Sequence, residues 1–239
     1  MRVAIDFGSS SVKAVVGGKK PGFSSFALSL PDIESFLKKL PKDPKVLVTG
    51  SHNAFLKKYL KGITLVDPIK ATALGAQKLA GKKQGTIIDV GVSSIMIEAQ
   101  GKRIKNHYGF NIGGGTLEGI AGSLGYTIYR FDALAKNGNP AKVNLTDKDF
   151  GGKKNTTVAS FAQSTKHKPT IAAGLIHTVA DSVIHFASLA KTRPLILVGR
   201  ATELPSFRKA VDASAKAHGL KIIIPKHAGF ATAYGALLW

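Results

Sequence analysis

The sequence predicts an α/β fold with mixed sheets, assembled as two like domains that face each other across a central cleft. Two observations carry this. First, Val3-Ala-Ile-Asp-Phe-Gly-Ser-Ser-Ser-Val-Lys13 and Thr86-Ile-Ile-Asp-Val-Gly-Val-Ser-Ser-Ile-Met96 share one pattern, about eighty residues apart: an apolar run, an Asp, a Gly, a short polar turn and a second apolar run. Each reads as a β-hairpin with a carboxylate at its mouth. Second, strand signals alternate with helix signals in the first half, and the pattern restarts in the second.

In the first half, residues 2–7, 12–17 and 23–28 read as strands. Pro31 opens a helix that runs to Leu40, where Pro41 and Pro44 end it. Residues 45–49 form a buried strand, and Ser51 is placed to cap a helix reaching Leu60. A strand at 63–66 precedes a helix from Pro68 to Ala80, because proline suits a first helical turn. Gly81-Lys-Lys-Gln-Gly85 looks like a linker. The expected domains are therefore 1–80 and 85–239.

The second half opens with strands at 86–90, 93–99 and 102–108. Gly113-Gly-Gly115 precedes helical runs at 114–125 and 129–137. Residues 138–168 are polar and glycine-rich, which predicts loops with some short helix. Pro169 opens a long amphipathic helix to 191. A strand at 194–199, a helix at 203–218, a strand at 221–224 and a helix at 228–238 complete the chain.

A chain of 239 residues with 44% hydrophobic and 20% charged residues suits an ordinary globular protein of one or two domains. No apolar stretch is expected to reach the ~18 residues of a membrane span. The N-terminus enters a strand pattern without a signal core, so a soluble cytoplasmic protein is expected. There is no cysteine, which excludes disulfides, thiolate catalysis and iron–sulfur ligation. The seven histidines are scattered, without metal-ligand spacing. The net charge of +20 attracts polyanions, but its lysine pairs are spread over the chain rather than gathered with aromatics. Nucleic acid is therefore not expected as the main partner.

The two hairpins point to phosphate chemistry. Gly8, Ser9 and Ser10 in the first, and Gly91 and Ser93 in the second, do not block an approach to backbone N–H groups. Asp6 and Asp89 are candidate holders of a hydrated Mg²⁺ beside the same phosphates, and Lys13 is a candidate partner for the terminal phosphate. Gly113, Gly114, Gly115 and Thr116 open a helix, whose N-terminus favours an anion. Gly199 ends a strand where an adenosine could lie against the backbone.

In this order and spacing the chain resembles the acetate and sugar kinase, heat-shock cognate ATPase and actin superfamily. Within it, the chain is similar to the type II pantothenate kinases. Asp6-Phe-Gly-Ser-Ser-Ser-Val-Lys13 resembles the first phosphate loop, and Val48-Thr-Gly50 a strand before a glycine turn. Gly109-Phe-Asn-Ile-Gly-Gly-Gly-Thr-Leu-Glu-Gly119 resembles the central glycine signature. Val143-Asn-Leu-Thr-Asp-Lys-Asp-Phe-Gly151, Val158-Ala-Ser-Phe161 and His227-Ala-Gly-Phe-Ala-Thr-Ala-Tyr-Gly-Ala236 are similar to later segments.

The resemblance implies two ribonuclease-H-like domains around ATP and Mg²⁺, the actin-like ATPase fold. It implies ATP-dependent phosphorylation of pantothenate, the first step of coenzyme A biosynthesis, or of a related hydroxy acid. It also implies a homodimer through the 169–191 helix. The chain departs from the family at two places. Pro68 falls where the family has a catalytic glutamate, which makes Asp67 the candidate base. Asn106 falls near a substrate-binding arginine, with Arg103 close by. These departures keep open an alternative, a catalytically degenerate nucleotide- or coenzyme A-binding protein. Activators of 2-hydroxyacyl-CoA dehydratases share the superfamily, but they hold an iron–sulfur cluster on cysteines that this chain does not have.

Overall fold

The computed structural model describes residues 1–9, 11–26, 30–39, 44–52 and 62–239. Ser10 falls outside the described residues, and so do residues 53–61, which hold all but the first position of the helix expected after Ser51. The strands are β1 (Arg2–Phe7), β2 (Val12–Val16), β3 (Gly22–Phe26), β4 (Lys45–Thr49), β5 (Thr64–Leu65), β6 (Gln84–Val90), β7 (Ser94–Gln100), β8 (Arg103–Phe110), β9 (Leu145–Thr146), β10 (Thr157–Ala159), β11 (Leu195–Val198) and β12 (Ile222–Ile223). The helices are α1 (Leu30–Lys38), α2 (Pro68–Leu79), α3 (Gly114–Ser123), α4 (Ile128–Ala135), α5 (Lys168–Ser188), α6 (Pro205–Ala217) and α7 (Ala231–Leu237).

Two five-stranded sheets carry the same topology. The first runs β3-β2-β1-β4-β5 and the second β8-β7-β6-β11-β12. In each, a central strand pairs antiparallel with the next strand of its hairpin and parallel with a strand that returns by crossover. This bears out the expected pair of like domains with mixed sheets. The central strands are buried on both faces, which explains their continuous apolar runs. In β1, Val3, Ile5 and Phe7 point into one core and Ala4 into another. In β6, Ile88 and Val90 join one core and Ile87 the opposite one.

The helices between the sheets are rich in small residues. α2 lays Ala73 and Ala76 against Ile87, Ile97 and Ile196 of the second sheet, while its Ala71 packs with Ala4 and Leu47 of the first sheet and with Ala233 of α7. α7, at the far end of the chain, sits on the first sheet through Ala233, Ala236 and Leu237. The two helices cross with backbone against backbone. A β-carbon on Gly75 would meet the carbonyl of Ala231, and one on Gly235 would meet the carbonyl of Ala71. Only glycine allows so close an approach.

The second half is larger because α3, α4, a two-stranded β9–β10 ribbon and α5 lie between β8 and β11. The ribbon falls where loops were expected. The 21-residue α5 is long and apolar enough to cross a membrane, contrary to the expectation that no stretch approaches that length. It is a core helix: Ile176, Val179, Val183 and Ile184 are buried among Phe131, Leu195 and Phe207. The apolar band of this helix is thus largely absorbed by the chain's own core.

Candidate functional site

The two hairpins meet over one cleft of about 230 Å³, lined by Asp6 and Gly8 from the first and by Asp89, Gly91 and Ser93 from the second. Asp6 is the penultimate residue of β1 and Asp89 of β6, so both carboxylates emerge where their strands end. Lys13 faces Asp6 across the β1–β2 ladder and lines the same cleft, although it is only 6% exposed. Burial pushes the Asp6 carboxyl up to about 6, against the lowering pull of Lys13 and with a smaller push from Asp89. Burial also raises Asp89, and Lys13 again opposes. One ammonium therefore serves two desolvated carboxylates, and an added cation would restore their ionisation.

Glycine makes room for each acid. Gly50 follows β4 with φ +100°, and Gly199 follows β11 with φ +98°. A β-carbon on Gly50 would lie 2.6 Å from Asp6 Oδ1, and one on Gly199 would collide with Asp89 Oδ1. Both glycines line the cleft, together with the Ser9 and Ser51 hydroxyls, which hydrogen bond to each other at 2.9 Å. The N-terminal turns of α2 and α7 supply further lining residues, Pro68, Ile69, Thr72, Ala231 and Thr232. Thr72 and Thr232 join their helices through a 2.8 Å hydroxyl–hydroxyl bond.

A narrow slot adjoins the cleft and shares Gly91, Val92 and Arg200 with it. Ile128, Tyr129, Ala201 and Leu204 give it apolar walls. Glu118 and Arg200 stand in it as an ion pair at 3.5 Å. Gly114 and Gly115 line this slot, but their amides are already engaged: Gly114 N–H donates to Gly91 O at 2.7 Å and Gly115 N–H to Val92 O at 3.0 Å. Gly113 N–H donates to Thr116 Oγ1 at 3.2 Å. The glycine run thus lets α3 pack directly on the second hairpin, where a β-carbon on Gly113 would lie 2.8 Å from Ser93 C. It does not present those three amides to a phosphate, and neither Gly113 nor Thr116 lines the cleft.

Three further candidates stand elsewhere. Asp67 is the N-cap of α2: its Oδ1 accepts the Lys70 N–H at 2.8 Å, and it is not among the cleft residues. Asn106 and Arg103 are exposed on β8, Asn106 donating to Glu98 Oε2 at 3.3 Å, and neither lines the cleft. Sequence reasoning missed Thr72, Thr232 and the Ile128–Tyr129 wall. Isolated threonines and a short amphipathic helix carry no signal of their own.

Among the described residues no group of three or more His, Asp or Glu side chains is placed to hold a metal ion by itself. Two carboxylates suit a hard cation that keeps waters and takes its remaining ligands from a bound phosphate.

No protein-family model and no curated protein matches the chain. Solved structures do match. Component A of the (R)-2-hydroxyglutaryl-CoA dehydratase of Acidaminococcus fermentans is 18% identical with a TM-score of 0.75, over 99% of this chain and 96% of that one. The activator of the 2-hydroxyisocaproyl-CoA dehydratase from Clostridium difficile, solved with bound ADPNP, is 18% identical at TM-score 0.74, over 99% and 92%. The ethanolamine utilization protein EutJ from Carboxydothermus hydrogenoformans is 15% identical at 0.61, over 99% and 88%. At these identities the likeness is one of fold, and that fold is the two-domain actin-like ATPase fold.

Proposed function

We propose that the protein binds ATP with Mg²⁺ between its two halves and transfers the terminal phosphoryl group to a small hydroxy acid, pantothenate or a relative. The observation that carries this reading is the meeting of Asp6, Asp89 and Lys13 in one cleft. The likeness to an activator solved with ADPNP supports the choice of nucleotide, and the sequence resemblance to type II pantothenate kinases supports the acceptor. In this reading the base of the nucleotide lies toward the slot beside the cleft and its phosphates run toward Asp6.

When bound, the metal–nucleotide complex supplies an electrophilic phosphoryl group whose charge is partly neutralised. Asp6 and Asp89 would hold the hydrated metal ion beside the phosphates. Lys13 offsets negative charge from the buried side of the site. The Ser9 and Ser51 hydroxyls stand at the rim, where they donate to phosphate or acceptor oxygens. No carboxylate other than Asp6 and Asp89 lines the cleft among the described residues. Catalysis in this reading rests on positioning and electrostatics.

One observation favours a second reading, a nucleotide-responsive binder without turnover: Asp67 is engaged as a cap, and Pro68 occupies the cleft wall. Calorimetry with ATP–Mg²⁺ and a coupled ADP-release assay over a panel of hydroxy acids separate the two. Binding with acid-dependent ADP release supports the kinase. Binding without release supports the binder. No binding defeats both. We assign the homodimer to the same reading, and a monomeric mass in solution counts against it.

A further inference from the structure

Two joined cavities lie away from the nucleotide cleft and share no lining residue with it or with its slot. They measure about 360 and 580 Å³ and meet at Pro140, His177 and Ala213. The first has apolar walls of Ala135, Ala173, Ile176 and Ala210, with Lys136, Lys209 and Ser206 also lining it. The second is polar and cationic, with Asn144, Thr157, Lys153, Lys154 and Lys216 around it. No carboxylate lines either cavity among the described residues.

The walls hold three buried polar atoms without a hydrogen-bond partner: Asn144 Nδ2, Thr157 Oγ1 and His177 Nδ1. Asn144 is only 3% exposed, and its Oδ1 is fixed by the Phe161 N–H at 3.0 Å. Its amide nitrogen is thereby held in place as a donor that nothing in the protein uses. Burial lowers the His177 imidazole from its usual value, against the pull of Asp181 one turn along α5. Asp147, before the two loop lysines, accepts the Lys154 backbone N–H at 2.9 Å.

A buried donor without a partner is costly, so Asn144 Nδ2 and the Thr157 hydroxyl beside one cavity form an arrangement that awaits acceptors. Diffuse surface charge does not account for it. Lys153 and Lys154 come from the loop before β10 and Lys216 from the end of α6, and these three exposed lysines line the cavity that also holds Asn144 and Thr157. A phosphate monoester matches this chemistry. Its oxygens accept from ammonium, amide and hydroxyl groups at once, and a compact apolar body fits the adjoining cavity. We infer that the joined cavities bind a small organic phosphate monoester. Its phosphate lies among Lys153, Lys154 and Lys216, and its body between Ala173, Ile176 and Ala210. The assignment is independent of what the nucleotide cleft does.

Titration calorimetry of the full chain with phenyl phosphate, inorganic phosphate and phenol tests it. One phenyl phosphate per chain is expected, bound at least about tenfold more tightly than either fragment. Lys216→Glu and, on the separate loop, Lys154→Glu each weaken it about tenfold or more. Ala213→Leu, at an exposed position where the cavities join, removes the advantage over inorganic phosphate. Asp6→Asn leaves the affinity unchanged, because the site is not the cleft. Equal affinity for phenyl and inorganic phosphate, or affinity indifferent to all three cavity variants, overturns the assignment. So does loss of binding in Asp6→Asn. Displacement by a single-stranded oligonucleotide with a steep salt dependence overturns it in favour of a nucleic-acid surface.

Discussion

Asp6 and Asp89 hold the same place in two different sheets. Asp6 pairs in parallel register with Thr49, the residue before Gly50, and Asp89 pairs with Val198, the residue before Gly199. Each carboxylate is therefore flanked by a glycine of positive φ. The correspondence includes the hairpin partners, Lys13 opposite Asp6 and Ile95 opposite Asp89. The single difference in charge falls there, which is why one ammonium answers to both acids.

Asp6→Asn is expected to stabilise the ligand-free protein near neutral pH while weakening its response to Mg²⁺. The folded carboxyl titrates near 6 against a usual value of 3.8. Between those values the folded state holds more protons, so stability from this group falls as pH rises through the window. The gain in the variant is at most about 3 kcal/mol at pH 7–8 and vanishes below pH 4. Thermal melts across pH, with and without ATP–Mg²⁺, measure both effects.

Gly50→Ala and Gly199→Ala are expected to behave alike. Each forces an alanine into a glycine conformation and drives its β-carbon toward a carboxylate oxygen. A loss of about 2 kcal/mol or more is expected for each, measured by urea denaturation. A variant that melts like the parent would show that the acid can move aside.

Asp67→Ala should cost about 1 kcal/mol through the lost α2 cap, and Asp67→Asn much less, since asparagine caps as well. ADP release should change less than about twofold in both. A fall of about 10²–10⁴ in Asp67→Asn with unchanged stability would instead mark the carboxylate as the base.

Thr72→Val should cost about 1 kcal/mol by leaving the Thr232 hydroxyl without its partner. Thr72→Val with Thr232→Val should recover part of that loss, because the pair is then replaced by apolar contact. A double-mutant cycle on denaturation midpoints reads the coupling.

Much of the fold was legible because the hairpins repeat and central strands buried on both faces leave continuous apolar runs. Asp6, Gly8, Lys13, Asp89 and Gly91 were found on that basis, and the structure brings them together. The glycine run before α3 was visible as a sequence feature, but its use was not. Whether its amides face a ligand or the neighbouring hairpin depends on tertiary packing. Asp67 before Pro68 carried a cap signal of its own, an acid at N-cap and proline at N1, which competes with any catalytic reading. The β9–β10 ribbon escaped notice because strands of two and three residues are too short to show alternation. The α2–α7 crossing escaped for another reason. It joins residues about 160 apart through glycine and alanine, and small side chains leave no stripe to read.

That crossing limits how the molecule can move. Where α2 and α7 touch at Gly75 and Gly235, no side chains mesh as teeth that would have to climb past one another. With no interlocking side chains at that point, a swing of one helix across the other meets little steric barrier. Pro68, Ile69 and Thr72 of α2 and Ala231 and Thr232 of α7 all line the cleft, so a change in the crossing angle changes its width.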